Sequence, residues 1–162
     1  MANIIPVNEE KHKVPLIIES GSTCSWQLLG DMIVKHLTFD LPGKWLSLYN
    51  QLREYEPRLV EVYEYRDRKL YMKYIDGLPL IVKPMAKFKQ NITLERYNEA
   101  VDIMRNIGQW NLENNMCFIN HALQLRNFMV ENRTGKIYMI DPDSFQFYGH
   151  KPYKVYDENS SS

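Results

Sequence analysis

Two short strand-forming runs, Phe128 to Glu131 and Lys136 to Ile140, flank Asn132-Arg133-Thr134-Gly135, and this pairing constrains the chain more than any other feature. The polar, Gly-containing link has the chemistry of a hairpin connection. Once the hairpin closes, Asn127 enters one strand where Asp141 leaves the other. An Asn amide and an Asp carboxylate held at one end of a hairpin offer oxygen ligands of the kind Mg²⁺ accepts, with phosphate oxygens and water completing its octahedron. Asp143 supplies a further metal-binding or structural carboxylate.

The chain has 162 residues, 44% hydrophobic and 12% aromatic, so it can bury a core of its own, as one domain or as two small lobes sharing a cleft. Its 20 Lys and Arg balance 20 Asp and Glu. There is thus no global field to attract nucleic acid or an anionic membrane. Cys24 and Cys117 have no ligand-like spacing, and their scarcity suits a reducing compartment; a cytoplasmic location is expected. No apolar run approaches the roughly 20 residues that span a bilayer, and the N-terminus lacks signal-peptide order.

Residues 1–13 read as a polar arm. Strands are expected over 14–19, 25–29 and 32–36, with Ser20-Gly21-Ser22-Thr23 as a small-residue turn and Gly30-Asp31 as a two-residue hairpin turn. Trp45, Leu48, Tyr49 and Leu52 make a helical stripe after Pro42-Gly43, and Pro57 stops it. Two more strands are expected over 59–65 and 69–74 about Arg66-Asp67-Arg68. A basic connector with Pro84 follows over 83–91. Thr93 then caps a long helix whose core stripe is read as Leu94, Tyr97, Val101, Met104 and Ile107. After residue 145 comes a polar and aromatic tail.

In this order the motifs resemble those of the protein-kinase-like phosphotransferases, especially the aminoglycoside and choline kinases and the small atypical protein kinases. That family follows a His-x-Asp with an Asn five residues after the Asp, then a hairpin, then a second Asp; Asn127 and Ile140-Asp141-Pro142-Asp143 match the last two motifs. Met72-Lys73-Tyr74-Ile75-Asp76-Gly77-Leu78-Pro79-Leu80 resembles the family hinge. The resemblance implies an α+β, two-lobed protein-kinase-like fold. An antiparallel five-stranded sheet with one helix would fill 14–80, a truncated, mainly helical lobe 81–150, and a tail 151–162. It implies ATP and Mg²⁺ as ligands. Gly21, Ser22, Thr23 and Ser25 would cover the phosphates, Lys35 would contact them, and Tyr74 and Ile75 would meet the adenine edge through backbone groups. Asn127 and Asp141 would hold the metal, and Glu54 or Glu56 would pair with Lys35. The plain alternatives are an ordinary turn, a solvated edge lysine and exposed helix-end acids.

One departure bears on catalysis. The family places its catalytic Asp at the position of Ala122, and a methyl group neither orients nor deprotonates an acceptor hydroxyl. His121 is adjacent and is the residue type suited to serve as a base near neutral pH, though a structural His is the alternative. Three explanations fit Ala122: a natural pseudokinase, another base, or a deliberate Asp-to-Ala substitution. Only residues 142–162 follow Asp141, little from which to build a closed small-molecule pocket. A protein partner or macromolecular acceptor is therefore expected, or a second copy completing the lower lobe. Two function classes stand: an ATP-dependent phosphotransferase, or a pseudokinase that binds a partner without transfer.

Overall fold

Alternating residues and two tight turns lay down the first sheet. The computed structural model describes residues 24–81, 92–120 and 124–150. Strand β1 (Cys24–Leu29) pairs antiparallel with β2 (Met32–Leu37), and the register closes on Gly30-Asp31 with Gly30 at φ 64°. β2 pairs in turn with β4 (Lys69–Lys73), and β4 with β3 (Val62–Arg66), giving the order β1-β2-β4-β3. The β3–β4 turn places Asp67 at φ 50° and Arg68 at φ 60°. Positive φ at both central residues suits the right-handed twist of the strands, but it strains side-chain-bearing residues.

Helix α1 (Trp45–Tyr55) starts where the Trp45 N–H reaches the Pro42 carbonyl and buries Trp45, Leu48, Tyr49 and Leu52. It ends at Glu56, whose φ −126° and ψ 89° are the extended backbone that a following proline imposes. Helix α2 (Leu94–Glu113) is capped by Thr93, whose side chain accepts from the Arg96 N–H. Its buried stripe is Ala100, Ile103, Ile107 and Trp110. Leu94 and Tyr97, expected in the core, are 76% and 45% exposed. The inward face is thus rotated from the expected one, because Ala100 and Ile103 continue the Ile107–Trp110 row at helical spacing.

Four short strands complete the described chain. β5 (Gly77–Pro79) pairs with β7 (Phe128–Glu131), which pairs with β8 (Ile137–Met139); β6 (Phe118–Asn120) pairs with β9 (Phe145–Phe147). Gly77 lies so close to the Val130 carbonyl that a Cβ would collide with it. No helix among the described residues is long and apolar enough to cross a membrane.

The expected two-lobed kinase layout is therefore corrected. The chain forms a small mixed α/β structure with mostly antiparallel strands in three sheets and two α-helices among the described residues. The expected five-stranded sheet has four strands among the described residues, and the strand placed over 14–19 lies outside them. The second half is not mainly helical, since α2 is followed by β6, β7, β8 and β9. One apolar cluster runs through both halves, from Leu37, Trp45 and Tyr49 through Leu70 and Ile103 to Phe128, Met139 and Phe145. The junction also carries backbone bonds: Val60 donates to the Met139 carbonyl, and Met139 to that of Arg58, each at 2.9 Å.

Candidate functional site

Lys35 lies on β2, opposite Trp26 on one side and Leu70 on the other. The period of two puts its side chain on the face shared by Ile33 and Leu37, toward the main core. A lysine aimed at a core needs an anionic partner. Lys35 has two, donating to Asp141 Oδ1 at 2.8 Å and to Asp143 Oδ1 at 2.7 Å.

Both carboxylates belong to the segment leaving the β7–β8 hairpin. Asp141 caps a 3-10 turn, Pro142–Ser144, in which Pro142 takes the first position. Several bonds fix this turn. Asn120 donates from Nδ2 to the Asp141 carbonyl at 2.9 Å, and Ser144 Oγ donates to Asp141 Oδ2 at 2.6 Å. Trp45 Nε1 donates to the Phe145 carbonyl at 2.9 Å, while the Phe145 ring stacks on Phe118 with centroids 5.1 Å apart. The acidic turn thus rests on an aromatic floor built from α1, β6 and β9.

The electrostatics follow from burial and charge together. For Lys35, burial alone would lower the pKa, but the charges of Asp143 and Asp141 and their hydrogen bonds prevail and raise it. For Asp141, burial opposes ionisation, yet the Lys35 charge and the bonds from Lys35 and Ser144 hold its carboxyl below the usual range. Asp143 is pushed up, first by deeper burial and then by the Asp141 charge, against the pull of Lys35. Asp141 is accordingly the firm anion of the pair.

Asn127 reaches the site through its backbone. It ends a 3-10 turn (Leu125–Asn127), and its carbonyl accepts from the Ile140 N–H at 2.9 Å, next to Asp141. Ser25 lies on β1 opposite His36, one register position from the Trp26–Lys35 pair. Tyr74 donates its N–H to the Asp31 carbonyl at 3.0 Å, and Ile75 is buried. Glu54 is exposed. Glu56 is buried and takes Arg58 and Asn106 as partners, so neither acid is the partner of Lys35 found here. Gly21, Ser22, Thr23, His121 and Ala122 lie outside the described residues.

Sequence reasoning missed Ser144 and Asn120. Ser144 carries a weak signal, a hydroxyl three residues after an Asp that begins a turn, as in side-chain capping. Asn120 carries none, because its role depends on the β6–β9 pairing. No protein-family model matches the chain, and no curated protein matches it.

Asp141 and Asp143 bring two carboxylates to one place around the Lys35 ammonium. Among the described residues no group of three or more His, Cys, Asp or Glu could hold a metal ion. Mg²⁺ takes one or two carboxylates and fills its shell with phosphate oxygens and water; Asp141 and Asp143 are two such carboxylates, while the Asn127 carbonyl is engaged by the Ile140 N–H.

Proposed function

We propose that the chain binds the phosphates of ATP together with Mg²⁺ at the cluster of Lys35, Asp141 and Asp143, as an ATP-dependent phosphotransferase with Ala122 at its base position. The observation that carries this reading is the convergence of a mid-strand lysine on the two carboxylates that follow a hairpin, from more than 100 residues away in sequence. Lys35 is the cation for phosphate oxygens, a bond strengthened by charge on both sides. Asp141 and Asp143 are the anionic oxygens for the metal, with Asn127 beside them. Ser144 and Asn120 hold Asp141 in orientation. Bound Mg²⁺ would neutralise and orient the phosphate oxygens. An ATP supply suits a cytoplasmic setting, and a protein or other macromolecule is the acceptor, with a partner or second copy flanking it.

Ala122 favours a second reading, a module that binds a partner, with or without nucleotide, and transfers nothing. Calorimetric titration with ATP, with and without Mg²⁺, tests the first claim: heat of binding that requires Mg²⁺ and disappears in Asp141→Ala supports it, and Mg²⁺-independent or absent binding rejects it. Incorporation of labelled phosphate after Ala122→Asp separates the readings. Restored labelling of the chain or an added protein supports the transferase, while silence with intact nucleotide binding supports the module.

A further inference from the structure

Lys35 occupies the place a metal ion would have to take. Its ammonium lies 2.8 Å from Asp141 and 2.7 Å from Asp143, and the three side chains are 14%, 22% and 8% exposed. The other oxygen of Asp141 accepts from Ser144. One oxygen of each carboxylate is therefore already neutralised by a cation the chain supplies itself. Resting on the nucleotide-phosphate reading above, we infer that Lys35 is a built-in competitor for the divalent ion: it keeps the acidic pair closed to free metal and yields only when phosphate arrives with the metal to receive the ammonium.

The reasoning is electrostatic. A hard divalent ion needs the same lone pairs that Lys35 engages. It would also stand at contact distance from the ammonium where little water screens the repulsion. Displacing the ammonium without a new partner leaves a largely buried charge unpaired, which is strongly unfavourable. A phosphate oxygen removes that penalty by giving Lys35 a charged acceptor. Metal and phosphate then bind with positive coupling, and the coupling acts equally in both directions.

The test uses Mn²⁺ alone, followed by electron paramagnetic resonance on the full chain, with circular dichroism confirming that each variant folds. Lys35→Met should bind Mn²⁺ about tenfold or more tightly than wild type, within the usual range of coupling between ligands. Lys35→Arg, which keeps the charge, should match wild type, and adding Asp141→Asn to Lys35→Met should abolish the gain. A Lys35→Met chain with no gain overturns the inference; if it does not fold, Lys35→Gln takes its place. The wild-type chain provides a measurement free of Lys35 variants: it should bind Mn²⁺ no more tightly than Asp141→Asn, and tight binding by wild type alone overturns the inference. Failure of the nucleotide reading is distinguishable. In that case wild type ignores ATP with Mn²⁺ while Lys35→Met still gains the bare ion.

Discussion

Asn111 offers a sharp test of how the platform beneath the acidic turn is held. Its side chain is buried in α2, and it bonds the backbone of Phe118 twice. Oδ1 accepts from the Phe118 N–H at 2.6 Å, and Nδ2 donates to the Phe118 carbonyl at 2.9 Å. Nδ2 also reaches the Ile107 carbonyl, which lies within α2 and keeps its intrahelical partner without the side chain. Asn111→Leu retains bulk and adds apolar surface, but it leaves the Phe118 N–H and carbonyl without these partners next to a fully buried ring. At about 1–3 kcal/mol for each of the two orphaned groups, the expected loss is roughly 2–6 kcal/mol, a large part of the stability of an ordinary domain. Urea unfolding followed by far-ultraviolet circular dichroism should show the midpoint falling at an unchanged slope. Hydrogen exchange at the Phe118 amide should accelerate as well. If Asn111→Leu unfolds within about 0.5 kcal/mol of wild type, the span expected of an innocuous substitution, the backbone-bonding account is wrong and Asn111 is merely filling space.

Gly77→Ala should destabilise by about 1–3 kcal/mol, the usual cost of overpacking, because its Cβ would meet the Val130 carbonyl in the β5–β7 pairing; a neutral result in urea would refute that close approach. Arg68→Gly should raise Tm by about 2–4 °C through relief of the positive φ, and a lower Tm would mean that the lost Arg68–Asp40 bonds outweigh the strain. Lys35 has its folded-state pKa raised, so its contribution is fully present below the unfolded pKa near 10.4 and is lost as pH climbs through the folded value. Above about pH 10.4, wild type should lose up to about 1.4 kcal/mol per pH unit more than Lys35→Met; parallel stability curves from urea titrations at pH 9.5–11.5 would refute the ion-pair account.

Where local chemistry fixes a hairpin, the sequence was readable. Gly30-Asp31 closes β1–β2, and the Asn132–Gly135 link precedes a β8 that returns along β7. The Trp45, Leu48, Tyr49 and Leu52 stripe is buried as its spacing indicates. Elsewhere the pattern was ambiguous or too short. In α2 two apolar rows overlap, and only packing against α1 and β8 selects the one through Ala100 and Ile103. Strands of three residues, as in β5, β6, β8 and β9, hold too few positions for a period of two to register. Their pairings join distant segments, so neither the three-sheet arrangement nor the approach of Asn120 to Asp141 has a local signature. The juxtaposition of Lys35 and Asp141 came from motif order. Asp143 was legible as a further carboxylate, but its bond to Lys35 and the hydroxyl of Ser144 emerge only from the turn geometry.

The lysine of β2 and the acids beyond β8 meet across most of the chain's length, so the cluster exists only when both ends of the fold are assembled. Any molecule that settles there selectively becomes a rivet between them. Its occupancy adds to global stability by mass action, about 2.7 kcal/mol when supplied at a hundredfold over its dissociation constant. Melting curves recorded across a panel of nucleotides and metal ions therefore interrogate the cluster without knowledge of any reaction.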